Sequence, residues 1–224
     1  MLFQDYSNPK SLGSRLRKRR LRIFLDLVRA IISKKGACRI LDVGGRVSYW
    51  SIIAPELQVL PGVSLTIINV EKPDDTEISL GIPLELHVGD GCSMDFEDCA
   101  FDIVHSNSVI EHVGSWRRMV SFADEIRRVG KAVFVQTPYF WFPLEPHVNI
   151  LGFSLLPRPI QRNILMRRKN GFIERAESVG DAMLSLEACQ LLDRAQMRFL
   201  FPDAEIRTER FAGLSKSLIA IRIA

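Results

Sequence analysis

The stretch CRILDVGGRVSYW, residues 38 to 50, joins a short apolar run to a glycine turn and then to a helical pattern. Arg39 to Val43 is typical of a buried strand, and Gly44 and Gly45 follow at once. Glycines at such a turn let the backbone come close to a ligand at the carboxyl end of a strand. For a glycine pair alone, a plain tight turn between strand and helix is the favoured explanation.

Further strand-like segments continue this pattern, and helical segments separate some of them. The strands are predicted over 63–71, 84–88, 101–106 and 132–136, and the helices over 49–57 and 116–129. After a predicted helix over 185–198, two strand-like runs, 204–211 and 217–223, are separated by only five residues, too few for a parallel crossover. The sequence therefore predicts an α/β fold: a mainly parallel seven-stranded sheet with helices on both faces and a C-terminal antiparallel β-hairpin.

The chain begins with a basic segment. The run RLRKRRLR (15–22) has six basic residues in eight, and Phe24, Leu27, Val28, Ile31 and Ile32 follow at helical spacing. We predict a basic N-terminal helix over 1–36 that packs on a domain formed by 37–224. The favoured role of the basic run is a solvated helix start, with an anionic partner as the alternative.

Residues 139–182 are predicted to form an irregular insert in the domain, on the acceptor side of the site. Such long segments without regular structure usually carry function.

Composition limits the protein classes to consider. The chain has 224 residues, 47% of them hydrophobic, and a formal charge of +4, which suits one globular domain. Its four cysteines follow neither disulfide nor metal-ligand spacing, so no metal site is predicted and a reducing cytoplasm is the simplest location. No apolar run approaches the roughly 20 residues that span a bilayer, and no signal peptide is expected at the N-terminus.

The longest informative motif is GDGCSMDFEDCAFDIVHSNSVIEHV, residues 89–113. With the glycine turn and the terminal hairpin, it resembles the class I S-adenosylmethionine-dependent methyltransferases, in particular the small-molecule branch called type 11. The resemblance covers roughly residues 38 to 224. It implies a Rossmann-like sheet, S-adenosyl-L-methionine as cofactor, and methyl transfer to a small-molecule, glycan or lipid-linked acceptor.

The resemblance also implies a set of cofactor-binding residues. The family's first turn reads acid-x-Gly-x-Gly-x-Gly; here Asp42 and Gly44 fit, Gly45 lies between, and Arg46 and Ser48 replace the later glycines. An acid after the second strand would bind the ribose hydroxyls, and an acid after the third would bind the adenine amine, unless it only makes an Asp-Gly turn. The expected cofactor residues are Asp42, Gly44, Gly45, Asn69, Glu71, Asp90, Gly91, Ser106 and Asn107, with Glu71 preferred over Asn69 for its carboxylate.

Two histidines are candidates for acid–base chemistry. His112 follows Glu111, and His147 follows Glu145 within TPYFWFPLEPHV (137–148). Methyl transfer from a sulfonium depends mainly on alignment, but an oxygen acceptor of high pKa would gain from a base. The alternatives are that Glu111 and His112 cap and pack a helix, and that the aromatics of 139–142 are core under a loop.

Other functions stay open at this stage. An inactive cofactor-binding scaffold is one alternative, because of Arg46, and a nicotinamide-dependent oxidoreductase is a weaker one, because GxGxxG is missing. The expected partner is a small-molecule or amphiphilic acceptor; no specific nucleic acid is predicted, and the oligomeric state stays open.

The segment LGFSLLPRPIQRNILMRRKNGF (151–172) mixes apolar and basic residues, so it either contacts an anionic membrane surface or, as we favour, closes as a lid with its apolar side inward.

Overall fold

The computed structural model describes residues 12–72 and 77–223. The first eleven residues of the predicted N-terminal helix lie outside this part. The helices are α1 (Leu12–Lys35), α2 (Val47–Trp50), α3 (Ala54–Gln58), α4 (Trp116–Val129), α5 (Arg158–Arg167), α6 (Val179–Glu187) and α7 (Arg194–Leu200). The strands are β1 (Cys38–Val43), β2 (Val63–Asn69), β3 (Leu84–Val88), β4 (Phe101–Asn107), β5 (Gly130–Pro138), β6 (Leu144–Glu145), β7 (Ile150–Leu151), β8 (Glu205–Phe211) and β9 (Leu214–Arg222).

Seven strands form one sheet in the order β3-β2-β1-β4-β5-β9-β8. Strand β1 pairs in parallel with β2 and with β4, and β2 pairs in parallel with β3. Strands β8 and β9 pair antiparallel. Their connection shrinks from the predicted five residues to Ala212 and Gly213, whose φ angles of 48° and 80° suit a two-residue hairpin turn. The predicted seven-stranded, mostly parallel sheet with a terminal hairpin is confirmed.

The described chain divides into two compact units. The first contains residues 12–72, 77–107, 124–135 and 222–223, and the second contains residues 108–123 and 136–221. Sequence patterning did not predict this division, because both units contribute strands to a single alternating series. Among the described helices, none has the length and apolar character needed to cross a membrane.

The core of the first unit includes one face of α1. Leu21, Phe24, Leu25 and Val28 of this helix are buried. The ring of Phe24 contacts Trp50, His105 and Phe134, with centroids 5.1 to 5.5 Å apart. The basic run is only partly solvated as predicted: Lys18 and Arg19 are exposed, but Arg20 is only 4% exposed. Position 20 lies on the same side of the helix as Phe24, four residues on, and this spacing explains its burial.

The second unit has a small core of its own. Val148, Phe153, Leu165, Ala176, Ala182 and Leu186 form this cluster. The insert over 139–182 is therefore more regular than predicted, since it contains the paired strands β6 and β7, helix α5 and the start of α6. Its proline-rich composition hid these elements. Proline at the first turn of α5 suits a helix start, because the missing N–H is not needed there.

Two predicted helices are each divided in the structure. The helix predicted over 185–198 is wrong: α6 and α7 are separate, and each begins with a capping box, made by Ser178 with Asp181 and by Asp193 with Gln196. The helix predicted over 49–57 is likewise two short helices, with Pro55 in the first turn of the second. Capping side chains and proline decide where these helices begin, and they override the apolar spacing that joined them.

Candidate functional site

The glycine turn follows the carboxyl end of β1. Gly44 has a φ of 78°, in the left-handed region, and its N–H donates to the carbonyl of Ile68 at 2.8 Å. A Cβ added at Gly45 would lie 1.6 Å from Oδ2 of Asp42. Gly44 is thus favoured by its backbone angle, and Gly45 is required because a carboxylate lies against it.

Asp42 is buried beneath this turn, inside the first unit. Trp50 Nε1 donates to its Oδ2 at 2.6 Å, and Nδ1 of His105 lies 2.7 Å from its Oδ1. Both carboxylate oxygens are therefore engaged by interior side chains. Asp42 orients the glycine turn from below, and the sequence analysis missed Trp50 and His105 as its partners.

The end of β2 is tied to the same turn. The side-chain amide of Asn69 donates to the carbonyl of Gly45 at 2.7 Å. Glu71, two residues further along, has an exposed side chain. Of the two candidates for the ribose hydroxyls, Asn69 thus shapes the turn, and Glu71 offers the accessible carboxylate.

Strand β4 ends with Ser106 and Asn107. The Ser106 hydroxyl is buried and donates to the carbonyl of Val43 at 3.0 Å. Asn107 is half-buried, and its Oδ1 accepts a hydrogen bond from the guanidinium of Arg20 on α1. These two side chains fasten β4 to β1 and to α1.

Asp90 and Gly91 form a tight turn after β3. Oδ1 of Asp90 accepts from the N–H of Cys92 at 2.9 Å, and its carbonyl accepts from Ser93 at 2.9 Å. Both Asp90 and Gly91 are partly exposed. The turn that the sequence offered as an alternative is present, and it holds the Asp90 carboxylate at a partly open position.

Strand register brings these four ends to one edge of the sheet. Val43 pairs with Ile68, Asn69 with Val88, and Asp42 with His105. The carboxyl ends of neighbouring parallel strands are where open α/β sheets hold their ligands. The first unit thus collects the glycine turn, Asn69, Glu71, the Asp90 turn and Asn107, while Asp42 and Ser106 lie below them.

A second polar cluster lies entirely within the second unit. Nε2 of His112 is 3.2 Å from Nε2 of His147. Nδ1 of His112 is 2.8 Å from the carbonyl of Ala188, and Nδ1 of His147 is 2.7 Å from Oε1 of Glu145. Sγ of Cys189 lies 3.3 Å from Nδ1 of His147. The two histidines predicted as catalytic are therefore neighbours, although they are 35 positions apart in the sequence.

The hydrogen bonds of the two rings fix which nitrogens carry protons. A carbonyl and a carboxylate oxygen accept, so Nδ1 is the donor in both His112 and His147. The two Nε2 atoms are left facing each other. Two neutral rings in this arrangement would oppose their lone pairs, and a cation held between the two Nε2 atoms would relieve that opposition.

Buried carboxylates surround the pair. Glu145 is buried, and its Oε2 accepts from the N–H groups of His147 and Val148 at 2.9 and 2.6 Å. Glu111 is 0% exposed; its Oε2 accepts from the Thr137 hydroxyl at 3.0 Å, and its Oε1 has no hydrogen-bonding partner within the described residues. The cluster is thus an acid-rich interior with a histidine pair at its edge.

The electrostatics follow from this burial. Burial alone would lower the pKa of His147, but the hydrogen bond and charge of Glu145, with the charge of Glu111, raise it above the ordinary value. Burial raises the pKa of Glu111, although nearby His112 opposes the shift. Burial raises the pKa of the Cys189 thiol, and Glu111 and Glu145 add to the effect. Positive charge is therefore favoured at His147, and negative charge is disfavoured at Cys189.

A cavity of about 300 Å³ opens beside this cluster. Its walls include Glu145, His147 and Cys189 together with Phe140, Arg158 and Gln161. This volume is at the lower end of the range for small-molecule sites. The insert residues predicted to face an acceptor thus line a cavity of suitable size within the second unit.

Comparison with known proteins bears on what these two regions do. Residues 63–132 match the family model of the methyltransferase domain. A S-adenosylmethionine-dependent methyltransferase from Methanosarcina mazei superposes with a TM-score of 0.51 at 16% identity, over 83% of this chain and 91% of that one. The chain has the class I methyltransferase fold. No curated protein sequence matches it.

Two further structures share this methyltransferase fold. A protein from Pyrococcus horikoshii OT3 superposes with a TM-score of 0.55 at 16% identity, over 98% of this chain and 95% of that one. Magnesium protoporphyrin IX methyltransferase from Synechocystis PCC 6803, whose structure contains bound SAH, superposes with a TM-score of 0.53 at 10% identity, over 96% and 90%. The resemblance inferred from residues 89–113 is confirmed for the fold, and residues 63–132 of the chain match the methyltransferase domain model.

The match to the methyltransferase domain includes only part of the candidate site. Asn69, Glu71, the Asp90 turn, Asn107 and His112 lie within residues 63–132. The glycine turn precedes this range, and His147 and Cys189 follow it. Cys189 was missed by the sequence analysis, because no spacing links it to either histidine; only a contact across 42 positions reveals it.

Proposed function

We propose that this chain is a S-adenosylmethionine-dependent methyltransferase acting on a small-molecule or amphiphilic acceptor. The observation that carries the proposal is the meeting of the glycine turn, Glu71, the Asp90 turn and Asn107 at one edge of the parallel sheet in the first unit. The methyltransferase domain match over 63–132 supports the same activity.

The donor set at this edge fits the cofactor. Glu71 would accept from the ribose hydroxyls, and Asp90 would accept from the adenine amine beside the backbone of Gly91. Gly44 and Gly45 leave room for close approach of the backbone. Asp42 would act indirectly, since Trp50 and His105 already engage both of its oxygens. The bound cofactor supplies an electrophilic methyl group on a sulfonium.

The acceptor chemistry is assigned to the cavity of the second unit. An acceptor that must lose its proton when it is methylated, such as a hydroxyl, gains from a base that takes the proton, or from a cation that stabilises the anion once the proton has passed to solvent. Because both Nδ1 atoms donate, a cation would be held at the facing Nε2 atoms of His112 and His147. His147 and His112 are therefore the proposed catalytic residues, with Glu145 as a positioning residue.

An inactive cofactor-binding scaffold is the second candidate. Arg46 is exposed and stands where the family pattern has a glycine. A nicotinamide-dependent oxidoreductase has no such specific support, because the GxGxxG pattern is missing from the glycine turn. Both candidates would bind the cofactor, but only the enzyme would transfer its methyl group to an acceptor.

Calorimetry with S-adenosylmethionine and its demethylated product tests the cofactor proposal. Asp90→Asn keeps the Oδ1 acceptor of the turn but removes the charge, and we expect it to weaken binding by about 1 to 3 kcal/mol. Asp95→Asn, at an exposed aspartate five residues on, is the matched control and is expected to bind like the unchanged protein. Absence of heat and of a thermal shift with the folded, unchanged protein would contradict the proposal.

We also propose a surface for weak contact with anionic membranes. Leu151 and Leu155 are 74% and 60% exposed, and Arg167, Arg168 and Lys169 are exposed in the same segment. Phe153 and Leu165 are instead buried in the second unit's core. The buried side chains agree with the inward packing favoured from the sequence. The exposed side chains form an outward face, which would give a cytoplasmic protein peripheral access to an amphiphilic acceptor.

A further inference from the structure

We propose that His112, His147 and Cys189 form a zinc-binding site on the wall of the second unit's cavity. The ligand atoms of these residues all lie within 4.8 Å of one another. The inference rests on the proposed function in one respect only, namely that the fourth coordination position of the zinc ion would take the methyl acceptor. The metal site itself stands on geometry within one unit.

The first argument comes from the ring nitrogens. Both Nδ1 atoms donate to oxygen acceptors, which directs the lone pairs of both Nε2 atoms toward each other across 3.2 Å. With Zn–N distances of about 2.0 to 2.1 Å, two nitrogens of a tetrahedral zinc ion are about 3.4 Å apart. The two rings are therefore already spaced as neighbouring ligands.

The second argument comes from the thiol. Sγ of Cys189 is 3.8 Å from Nε2 of His147, and a zinc-bound nitrogen and sulfur are about 3.6 Å apart. Zinc binding would displace the thiol proton to solvent, leaving a thiolate bonded to the metal. Two imidazoles and one thiolate favour zinc over magnesium or calcium, which prefer oxygen ligands.

The surroundings of the ligands support a metal rather than a proton alone. The carboxylate of Glu145 and the carbonyl of Ala188 each hold one ring by its Nδ1, and such outer contacts typically orient zinc-bound histidines. Glu111 is fully buried, and its Oε1 lacks a partner within the described residues. A divalent ion would provide this acidic interior with more positive charge than one shared proton.

Three protein ligands leave one position of a tetrahedral ion open. His147 and Cys189 line the cavity of about 300 Å³, so the open position would take water or an acceptor oxygen or sulfur from that cavity. Bound there, the acceptor would lose its proton more readily, since zinc stabilises the anion. The acceptors of this site would then be alcohols, phenols or thiols.

Cobalt(II) absorption of the full-length, chelator-stripped protein tests the site directly. We expect one ion per chain, with intense visible bands of tetrahedral cobalt and a near-ultraviolet thiolate charge-transfer band, both removed by added zinc. Cys189→Ser is expected to lose the thiolate band, whereas Cys99→Ser, at an exposed cysteine, keeps it. His112→Gln is expected to weaken cobalt binding at least about tenfold, and His87→Gln, at an exposed histidine outside the cluster, leaves it unchanged.

A featureless cobalt titration of the unchanged protein overturns the proposal and leaves a shared proton between the rings. A thiolate band that survives in Cys189→Ser also overturns it. The titration of the unchanged protein decides the matter even if a variant fails to fold. Calorimetry of the stripped protein with S-adenosylmethionine separates this result from the proposed function, because the cofactor residues belong to the first unit.

Discussion

At the scale of single residues, two buried carboxylates stabilise the first unit in different ways. Asp42 is held by Trp50 and His105 beneath the glycine turn. Asp102, at the start of β4, accepts from the Arg39 N–H at 2.9 Å and from Lys35 Nζ at 2.5 Å, with Lys131 Nζ 3.5 Å away. Burial alone would raise the pKa of Asp102, but these partners outweigh it and hold the pKa below the ordinary value of 3.8.

Asp102 should therefore contribute stability that depends on pH. A carboxyl whose pKa is lower in the folded state stabilises the protein above its ordinary pKa, and this contribution is lost as pH falls through the folded-state pKa. We expect Asp102→Asn to lower the free energy of unfolding by about 1 to 3 kcal/mol at pH 7. The difference from the unchanged protein should shrink below about pH 4. Urea unfolding at a series of pH values measures it.

Asp95→Asn is the control for this series, since Asp95 is exposed. It should leave the free energy of unfolding nearly unchanged at every pH. A deficit for Asp102→Asn that stays constant down to pH 2 would show that the carboxylate charge is not what stabilises the start of β4.

At the scale of elements, α1 contributes one apolar face to the first unit's core. Phe24 packs edge-on against Trp50, His105 and Phe134. Trp50 and His105 are also the partners of Asp42, so the helix packs on the same side chains that orient the glycine turn. Arg20 adds a hydrogen bond to Asn107 at the end of β4.

Truncating Phe24 tests this role of α1. Phe24→Ala removes a fully buried ring, and we expect a loss of about 3 to 5 kcal/mol in the free energy of unfolding. Phe199→Ala is the matched control, because Phe199 is largely exposed. A loss of less than about 1 kcal/mol for Phe24→Ala, measured by urea unfolding, would mean that α1 is not part of the core.

The elements also show what could be predicted from the sequence. The central strands of the large sheet were found because buried parallel strands are mostly apolar runs, as in Arg39 to Val43. The helix predicted over 185–198 was wrong because Asp193 and Gln196 start a new helix there. The pair β6 and β7 was missed because two-residue strands have no periodicity to detect.

At the scale of the whole molecule, the two proposed roles belong to different units. The cofactor candidates at the strand ends belong to the first unit, and the histidine pair, Cys189 and the cavity belong to the second. The cofactor candidates could be predicted because they follow the ends of successive strands in the sequence. The second set depends on contacts between residues 112, 147 and 189, and sequence spacing gives no sign of these. His112 and His147 were selected separately, and their pairing was not foreseen.

Vesicle sedimentation tests the membrane proposal for the whole protein. We expect binding to anionic vesicles at low salt that weakens at high salt, because each basic residue near the surface contributes about 1 kcal/mol. The double variant Arg167→Glu/Arg168→Glu should reduce vesicle binding. The control is the double variant Arg198→Glu/Arg210→Glu, which makes the same charge change at exposed sites elsewhere and should reduce binding less. Absence of binding to anionic vesicles at low salt would contradict the membrane proposal and favour an inward-packed segment with a soluble acceptor.

The most direct test of the central claim is transfer of a labelled methyl group from S-adenosylmethionine into a fractionated extract of the source cell. We predict that label enters a small-molecule or amphiphilic fraction with the unchanged protein. His147→Ala should lower this transfer while leaving the cofactor affinity, measured by calorimetry, nearly unchanged. Folded protein that binds the cofactor but transfers no label to any fraction would contradict the claim and identify the chain as a cofactor-binding scaffold.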